Sequence, residues 1–167
     1  MNKLTVCALG LLLSCSLYAD DKKPGVSISF SSEDSRTELG PRRDVRDAQI
    51  AITTRDRSVS LLLIDDVVAV QLTDRALANI SANEDASLLE EIIASGVQVA
   101  MRKAVSYPVA NIRSVAFRDG ALLLTNDRNQ PVFTEIKVNG KEVLRDFTSG
   151  DAARFMKAFN AVRSAQR

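Results

Sequence analysis

Short apolar runs with strict two-residue alternation, each closed by a tight polar turn, constrain this 167-residue chain more than any other feature. Ile50 and Ile52 alternate with Ala51 and Thr53; after the polar Thr54-Arg55-Asp56-Arg57, Val59, Leu61 and Leu63 alternate again. Asp65-Asp66 interrupts, and Val67-Val68-Ala69-Val70-Gln71-Leu72 forms a third run. The pattern returns later. Ile112, Ser114 and Ala116 alternate with Arg113, Val115 and Phe117, then comes Asp119-Gly120, then Ala121 to Thr125. Asn126 to Gln130 is a polar turn, Val132 to Val138 a further run, and Asn139-Gly140 a turn before Lys141 to Leu144. Period-two apolar runs predict strands with one buried face. Joining them through two-residue turns predicts antiparallel neighbours, and Asp-Gly and Asn-Gly suit the positive φ that such turns need.

Three stretches switch to a helical period. Thr73 can cap a short helix from Asp74 to about Ile80. Ser87 and Glu90 have capping-box spacing, and Leu89, Ile92, Ile93, Val97, Ala100, Met101 and Ala104 recur at three and four, so a middle helix is predicted to about Val105. Pro108 forbids its continuation. Thr148, Ser149 or Asp151 can cap a last helix whose apolar stripe is Ala152, Phe155, Met156, Phe159 and Val162. The predicted class is therefore α+β: an antiparallel sheet of about six or seven strands with a middle helix and a C-terminal amphipathic helix packed on it. This element order resembles pleckstrin-homology-like barrels, which implies a closed sheet; the resemblance is one of order alone.

The N-terminal end reads differently. Lys3 precedes an apolar run from Leu4 to Leu13, and Ala19 precedes Asp20-Asp21-Lys22-Lys23-Pro24. That is the pattern of a secretory signal, removed after Ala19, and too short to span a bilayer. Leu12-Leu13-Ser14-Cys15 also resembles a bacterial lipoprotein signal, in which Cys15 is lipidated and anchors the chain. Both routes predict export to the periplasm or cell envelope, with a membrane partner only if Cys15 is lipidated. Residues 20–47 are rich in Ser, Asp, Glu, Arg and Lys and predict a flexible polar tether, with Arg42, Arg43 and Arg46 interleaved with Asp44 and Asp47. Within it Val26-Ser27-Ile28-Ser29-Phe30 alternates as an edge strand would. Residues 48–167 are predicted to form one domain.

Composition then removes whole chemistries. The chain has no His, and its two Cys are Cys7 and Cys15. Once the leader is removed, neither a thiol–imidazole pair, a Ser–His–Asp triad, a structural zinc nor a disulfide can be built. Removing Lys3 with the leader leaves 21 cationic and 21 acidic side chains, a balance that argues against a nucleic-acid partner.

Several constellations merit weighing against plain structural roles. Asp65-Asp66 could hold a cation, but adjacent strand residues diverge, so a solvated turn is expected. Asn126, Asp127 and Asn129 offer oxygens, but Glu135 is badly spaced to close a Ca²⁺ loop. Gly96, Ala100 and Ala104 form a small-residue stripe suited to close packing on the sheet. Ser106-Tyr107-Pro108 beside Arg102 and Lys103 could give a Lys-activated Ser, though no S-x-x-K spacing occurs. Arg113, Arg118, Arg128 and Lys137 could line an anion-binding face; Asp119, Asp127 and Glu135 among them favour cross-strand ion pairs. No catalytic, cofactor or metal residue is nominated. The expected function is a non-enzymatic envelope protein that binds another envelope component through its sheet edge or the groove beside a helix. The alternatives are a small-ligand or lipid-binding module with an internal cavity, or an enzyme using two converging carboxylates.

Overall fold

The computed structural model describes residues 36–82, 103–134, 136–138 and 141–166. The leader with Cys15, Val26 to Phe30, the Ser87 capping box with most of the middle helix, Glu135 and the Asn139-Gly140 turn lie outside the described residues.

The alternating runs are strands: β1 (Glu38–Pro41), β2 (Ile50–Thr53), β3 (Val59–Ile64), β4 (Val67–Leu72), β5 (Lys103–Pro108), β6 (Ile112–Arg118), β7 (Ala121–Asn126), β8 (Lys137–Val138) and β9 (Lys141–Glu142). The first five form one antiparallel sheet in the order β1-β5-β4-β3-β2; β6-β7 and β8-β9 are separate hairpins. Helix α1 spans Asp74–Ala82 and helix α2 spans Ser149–Ala165. The class is α+β, with α2 packed on β2, β3 and β6. The sheet is open and does not close into the barrel that the element order implied.

Turn chemistry sets the hairpins. Asp65 (φ 51°) and Asp66 are exposed and join Ile64 to its partner Val67. Asp119 (φ 50°) and Gly120 (φ 77°) both take positive φ, the requirement of a type I′ turn, and bring Arg118 opposite Ala121. Between β2 and β3, Asp56 Oδ1 accepts from the Thr54 hydroxyl at 2.6 Å, the Ser58 amide at 3.0 Å and the Ser58 hydroxyl at 2.8 Å.

Three expectations are corrected. Residues Lys103 to Val105, read as the end of the middle helix, belong to β5. Val105 and Tyr107 face one side of the sheet and Ala104 and Ser106 the other, so Ala104 is not part of a helical stripe. Pairing with β4 and β1 outweighs the helical spacing. The Val132 to Val138 strand is reduced to Lys137–Val138, because Phe133 (φ 66°) turns the chain and lets Val132, Phe133 and Ile136 all enter the core. The polar tether is, from Glu38 to Pro41, the edge strand β1, paired with β5. Backbone pairing is indifferent to the polar side chains that suggested a linker.

The two faces of the sheet differ. On one, Ile52, Val59, Leu61, Leu63, Val68, Val70, Leu72, Val105 and Tyr107 meet Phe155 and Phe159 of α2, together with Leu122, Leu124, Phe133 and Phe147. On the other, Leu62, Ile64, Ala69 and Ala104 cluster, flanked by buried Ser60, Gln71 and Ser106. Since β1 and β2 lie at opposite edges, residues 42–49 must cross from one to the other. Four strand spacings are about 19 Å, and eight residues reach at most about 27 Å. The crossing runs over the second face: Arg43 N–H donates to Gln71 Oε1 (2.9 Å), Gln71 Nε2 donates to the Arg43 carbonyl (3.0 Å), and Ala48 packs on the cluster.

Both described helices start at threonine caps. Thr73 Oγ1 accepts from the Ala76 amide at 3.1 Å. Thr148 Oγ1 accepts from the Asp151 amide at 3.0 Å and donates to Asp151 Oδ2 at 2.7 Å, so Thr148 is the cap of α2. Ala152, Phe155 and Phe159 are buried and Met156 and Val162 partly so, as the stripe requires.

Candidate functional site

An open antiparallel sheet leaves backbone groups at its edges. Thr54 N–H donates to the Val59 carbonyl at 3.0 Å. Hydrogen-bonded and non-bonded pairs alternate along an antiparallel ladder, so Ile52 and Ile50 bond inward to Leu61 and Leu63. The N–H and C=O groups of Ala51 and Thr53 therefore point away from β3, and among the described residues no strand lies beyond β2. Helix α2 packs beside this strand. The opposite edge is blunter: β1, of the same length as β2, begins with Glu38 and ends in Pro41, which has no N–H to offer. Which strands lie outermost could not be read from local patterns, because Ile50 to Thr53 looks like any other half-buried run.

The end of the β2–β3 loop borders a shallow depression lined by Thr54, Asp56, Ser58, Val59, Glu142, Val143, Arg145 and Asp146. Its cavity volume is about 20 Å³, on the order of one water molecule. Asp56 is held by Thr54 and Ser58, and Glu142 Oε2 accepts from Arg145 Nε at 2.7 Å.

The residues nominated by sequence separate rather than converge. Asp65 and Asp66 are a solvated turn, with the Asp66 carbonyl accepting from the Val109 amide at 2.7 Å. Asn126 is buried and uses Oδ1 to accept from the Arg128 and Gln130 amides at 3.0 and 2.8 Å. Asp127 pairs with Arg36 at 2.7 Å, and Asn129 Oδ1 accepts from Arg113 Nη1 at 2.9 Å. These three side chains build and fasten a loop. Among the described residues no group of three or more His, Cys, Asp or Glu gathers as metal ligands would. Lys103 and Ser106 project to opposite faces of β5, so Lys103 cannot activate that hydroxyl. Ser106 is buried on the face crossed by residues 42–49, and Tyr107 on the helix-covered face, with its ring at 78° to that of Phe133 and the guanidinium of Arg36 5.8 Å from its centroid.

Arg113, Arg118 and Arg128 form no ion pair with Asp119 or Asp127. Asp127 takes Arg36, from before β1, instead of a meander cation. Arg113 takes the amide oxygen of Asn129. Ion pairs elsewhere among the described residues include Arg42–Asp74, Arg46–Asp44, Arg145–Glu142 and Arg154–Asp151.

Several carboxyls have shifted acidity, each in the downward direction. Asp44 is pushed down to about 2, first by the hydrogen bond from the Arg46 side chain and then by that from its amide. The Arg36 hydrogen bond lowers Asp127, with Arg36 and Arg128 charge adding to it. The Thr148 hydroxyl lowers Asp151, followed by Arg154. These carboxyls serve as ion-pair partners and a helix cap, in the opposite sense to a general acid held protonated near neutrality.

Among the described residues no helix is long and apolar enough to cross a membrane. No protein-family model, curated protein or solved structure matches the chain.

Proposed function

We propose that this protein is a non-enzymatic module of the cell envelope, exported by its leader, that binds another envelope protein along the open edge of its five-stranded sheet. One observation carries the reading: the outward N–H and C=O groups of Ala51 and Thr53 on β2, beside α2, with no strand beyond them among the described residues. An extended segment of a partner can add to such an edge, main-chain hydrogen bonds supplying affinity and flanking side chains selectivity. The separation of Ser106 from Lys103 removes the one nucleophile–base pair that the sequence suggested.

The test is photocrosslinking in the native envelope. Gln49 and Arg55 are exposed at the two ends of β2, whereas Arg118 lies at the tip of the β6-β7 hairpin. A photoreactive residue at position 49 or 55 is expected to trap one discrete envelope protein and one at 118 to trap none. Equal labelling from all three positions, or from 118 alone, overturns the reading.

A further inference from the structure

The edge at β2 fits an extended segment of one particular pattern, and the chain itself carries that pattern. Ala51 and Thr53 turn their N–H and C=O groups outward, and their side chains lie on the small-residue face, where Thr53 Oγ1 is 3.5 Å from Ser60 Oγ. Ile50 and Ile52 face α2, and Ile50, Met156 and Val162 are only partly buried there. Residues directly opposite in an antiparallel pair point to the same face. A strand added to β2 therefore needs small residues opposite Ala51 and Thr53 and apolar ones opposite Ile50 and Ile52. Val26-Ser27-Ile28-Ser29-Phe30 has that order. In an antiparallel register Ser29 and Ser27 stand opposite Ala51 and Thr53, with Phe30 and Ile28 opposite Ile50 and Ile52. A slip by one residue would put Phe30 and Ile28 on the face that residues 42–49 cross.

A chain cannot offer this segment to its own β2. A strand beyond β2 lies five strand spacings from β1, about 24 Å. Phe30 is six residues from Arg36, which precedes β1 and is held there by Asp127 at 2.7 Å and by the Tyr107 ring of β5. Six residues reach at most about 22 Å. The β1 edge is within reach but offers less. The Val109 amide donates to the Asp66 carbonyl, which sets the phase of the β4-β5 ladder and leaves Ala104 and Ser106 to bond Gly40 and Glu38. Leu39 and Pro41 face outward, and Pro41 has no N–H, so one residue of β1 can exchange both bonds where β2 has two.

We propose that the partner at the β2 edge is a second copy of this chain, whose Val26-Ser27-Ile28-Ser29-Phe30 segment adds as a strand beyond β2. The proposal rests on the reading of that edge as a binding site and names its occupant. Donor segment and acceptor edge are different surfaces, so copies join head to tail.

The experiment is sedimentation velocity on the chain from Asp20 onward. Ala51→Pro removes an outward N–H and spares the bonds to β3, which run through Ile50 and Ile52. Ile28→Asp puts a charge in the apolar row of the donor. Wild type is expected to sediment as dimers and longer assemblies and each variant as a monomer. An equal mixture of the variants should give a heterodimer that grows no further, because I28D keeps the edge and A51P keeps the donor. A monomeric wild type overturns the proposal, and so does assembly that persists in either variant alone. If A51P does not fold, a synthetic peptide of residues 24–32 is titrated onto I28D, and absence of binding overturns the proposal equally. Crosslinking from positions 49 and 55 separates this failure from that of the broader reading. An adduct with a second copy supports both. An adduct with a different envelope protein keeps the edge as the site and overturns the second copy as its occupant; no adduct removes both.

Discussion

The two faces of the five-stranded sheet are built on opposite principles. One face is filled by large side chains: Leu61, Leu63, Val70 and Tyr107 pack against Phe155 and Phe159 of α2 and are buried to within a few per cent. The other is paved with Ala51, Ser60, Ala69, Ala104 and Ser106, with Leu62 and Ile64 as its larger members. Small residues let an extended segment lie close, and residues 42–49 do so, held by Gln71 and by the small Ala48 rather than by a large apolar anchor. A face covered by a helix is stabilised mainly by buried area; a face crossed by an extended chain depends on close approach and on hydrogen bonds that replace water. The same sheet therefore responds to mutation differently on its two sides.

The largest expected effect is on the helix-covered side. Phe159→Ala should destabilise the protein by about 3–5 kcal/mol, because it empties a fully enclosed aromatic site. Urea unfolding measures it; an unchanged midpoint would take α2 out of the core and make its apolar stripe a docking surface. Next comes the opposite face, where enlargement and not truncation is the damaging change. Ala69→Leu should cost about 1–3 kcal/mol through overpacking, whereas the same side chain would be unremarkable on a loosely covered surface. If calorimetry shows Ala69→Leu neutral or stabilising, the crossing segment does not lie close and the contrast between the faces fails.

Gln71→Ala isolates the hydrogen bonds from the packing. Both bonds to the Arg43 backbone would be lost, and stability should fall by about 1–2 kcal/mol. Amide exchange of Arg43 should accelerate while that of Leu61 and Leu63 stays slow. Uniform acceleration would show that the crossing segment and the sheet unfold as one unit.

The smallest effect concerns the cap of α2. Asp151 has its carboxyl pKa lowered in the folded state by the Thr148 hydroxyl and then by Arg154, so its contribution is present above the unfolded carboxylate pKa and is lost as pH falls through the folded value. The side chain lies near the surface, so the loss should stay within a few tenths of a kcal/mol. Chemical denaturation of wild type and Asp151→Asn at pH 7 and at pH 3 checks it: the difference between the two proteins should narrow at the lower pH. A difference that widens there would reverse the assigned sign.

The β3-β4 hairpin, the β6-β7 hairpin and α2 with its Phe155/Phe159 stripe were all legible in the sequence, and for one reason. Each is specified by neighbours in the chain: alternation within a run, turn residues that accept positive φ, a threonine before a helical stripe. The errors fall where partners are distant. Lys103 to Val105 carried a helical spacing, yet β4 and β1 on either side make it a strand. Glu38 to Pro41 carried a linker's composition, yet its backbone completes the ladder of β5. Of the candidate sites, the turn roles of Asp65-Asp66 and Asn126 were legible because turn chemistry is local.

The sequence by itself determined the α+β class, the alternation that makes β2, β3, β4, β6 and β7, the Thr73 cap and the absence of imidazole from the chain. Only the tertiary structure decided that the sheet stays open, that β1 and β2 are its edges, that residues 42–49 cross one face, and that Asp127 is taken by Arg36 and not by a meander cation. The division follows from how the interactions are encoded. Periodicity, turns and caps depend on residues a few positions apart, whereas backbone pairing is nearly blind to side-chain identity and is fixed only when distant segments compete for the same edge.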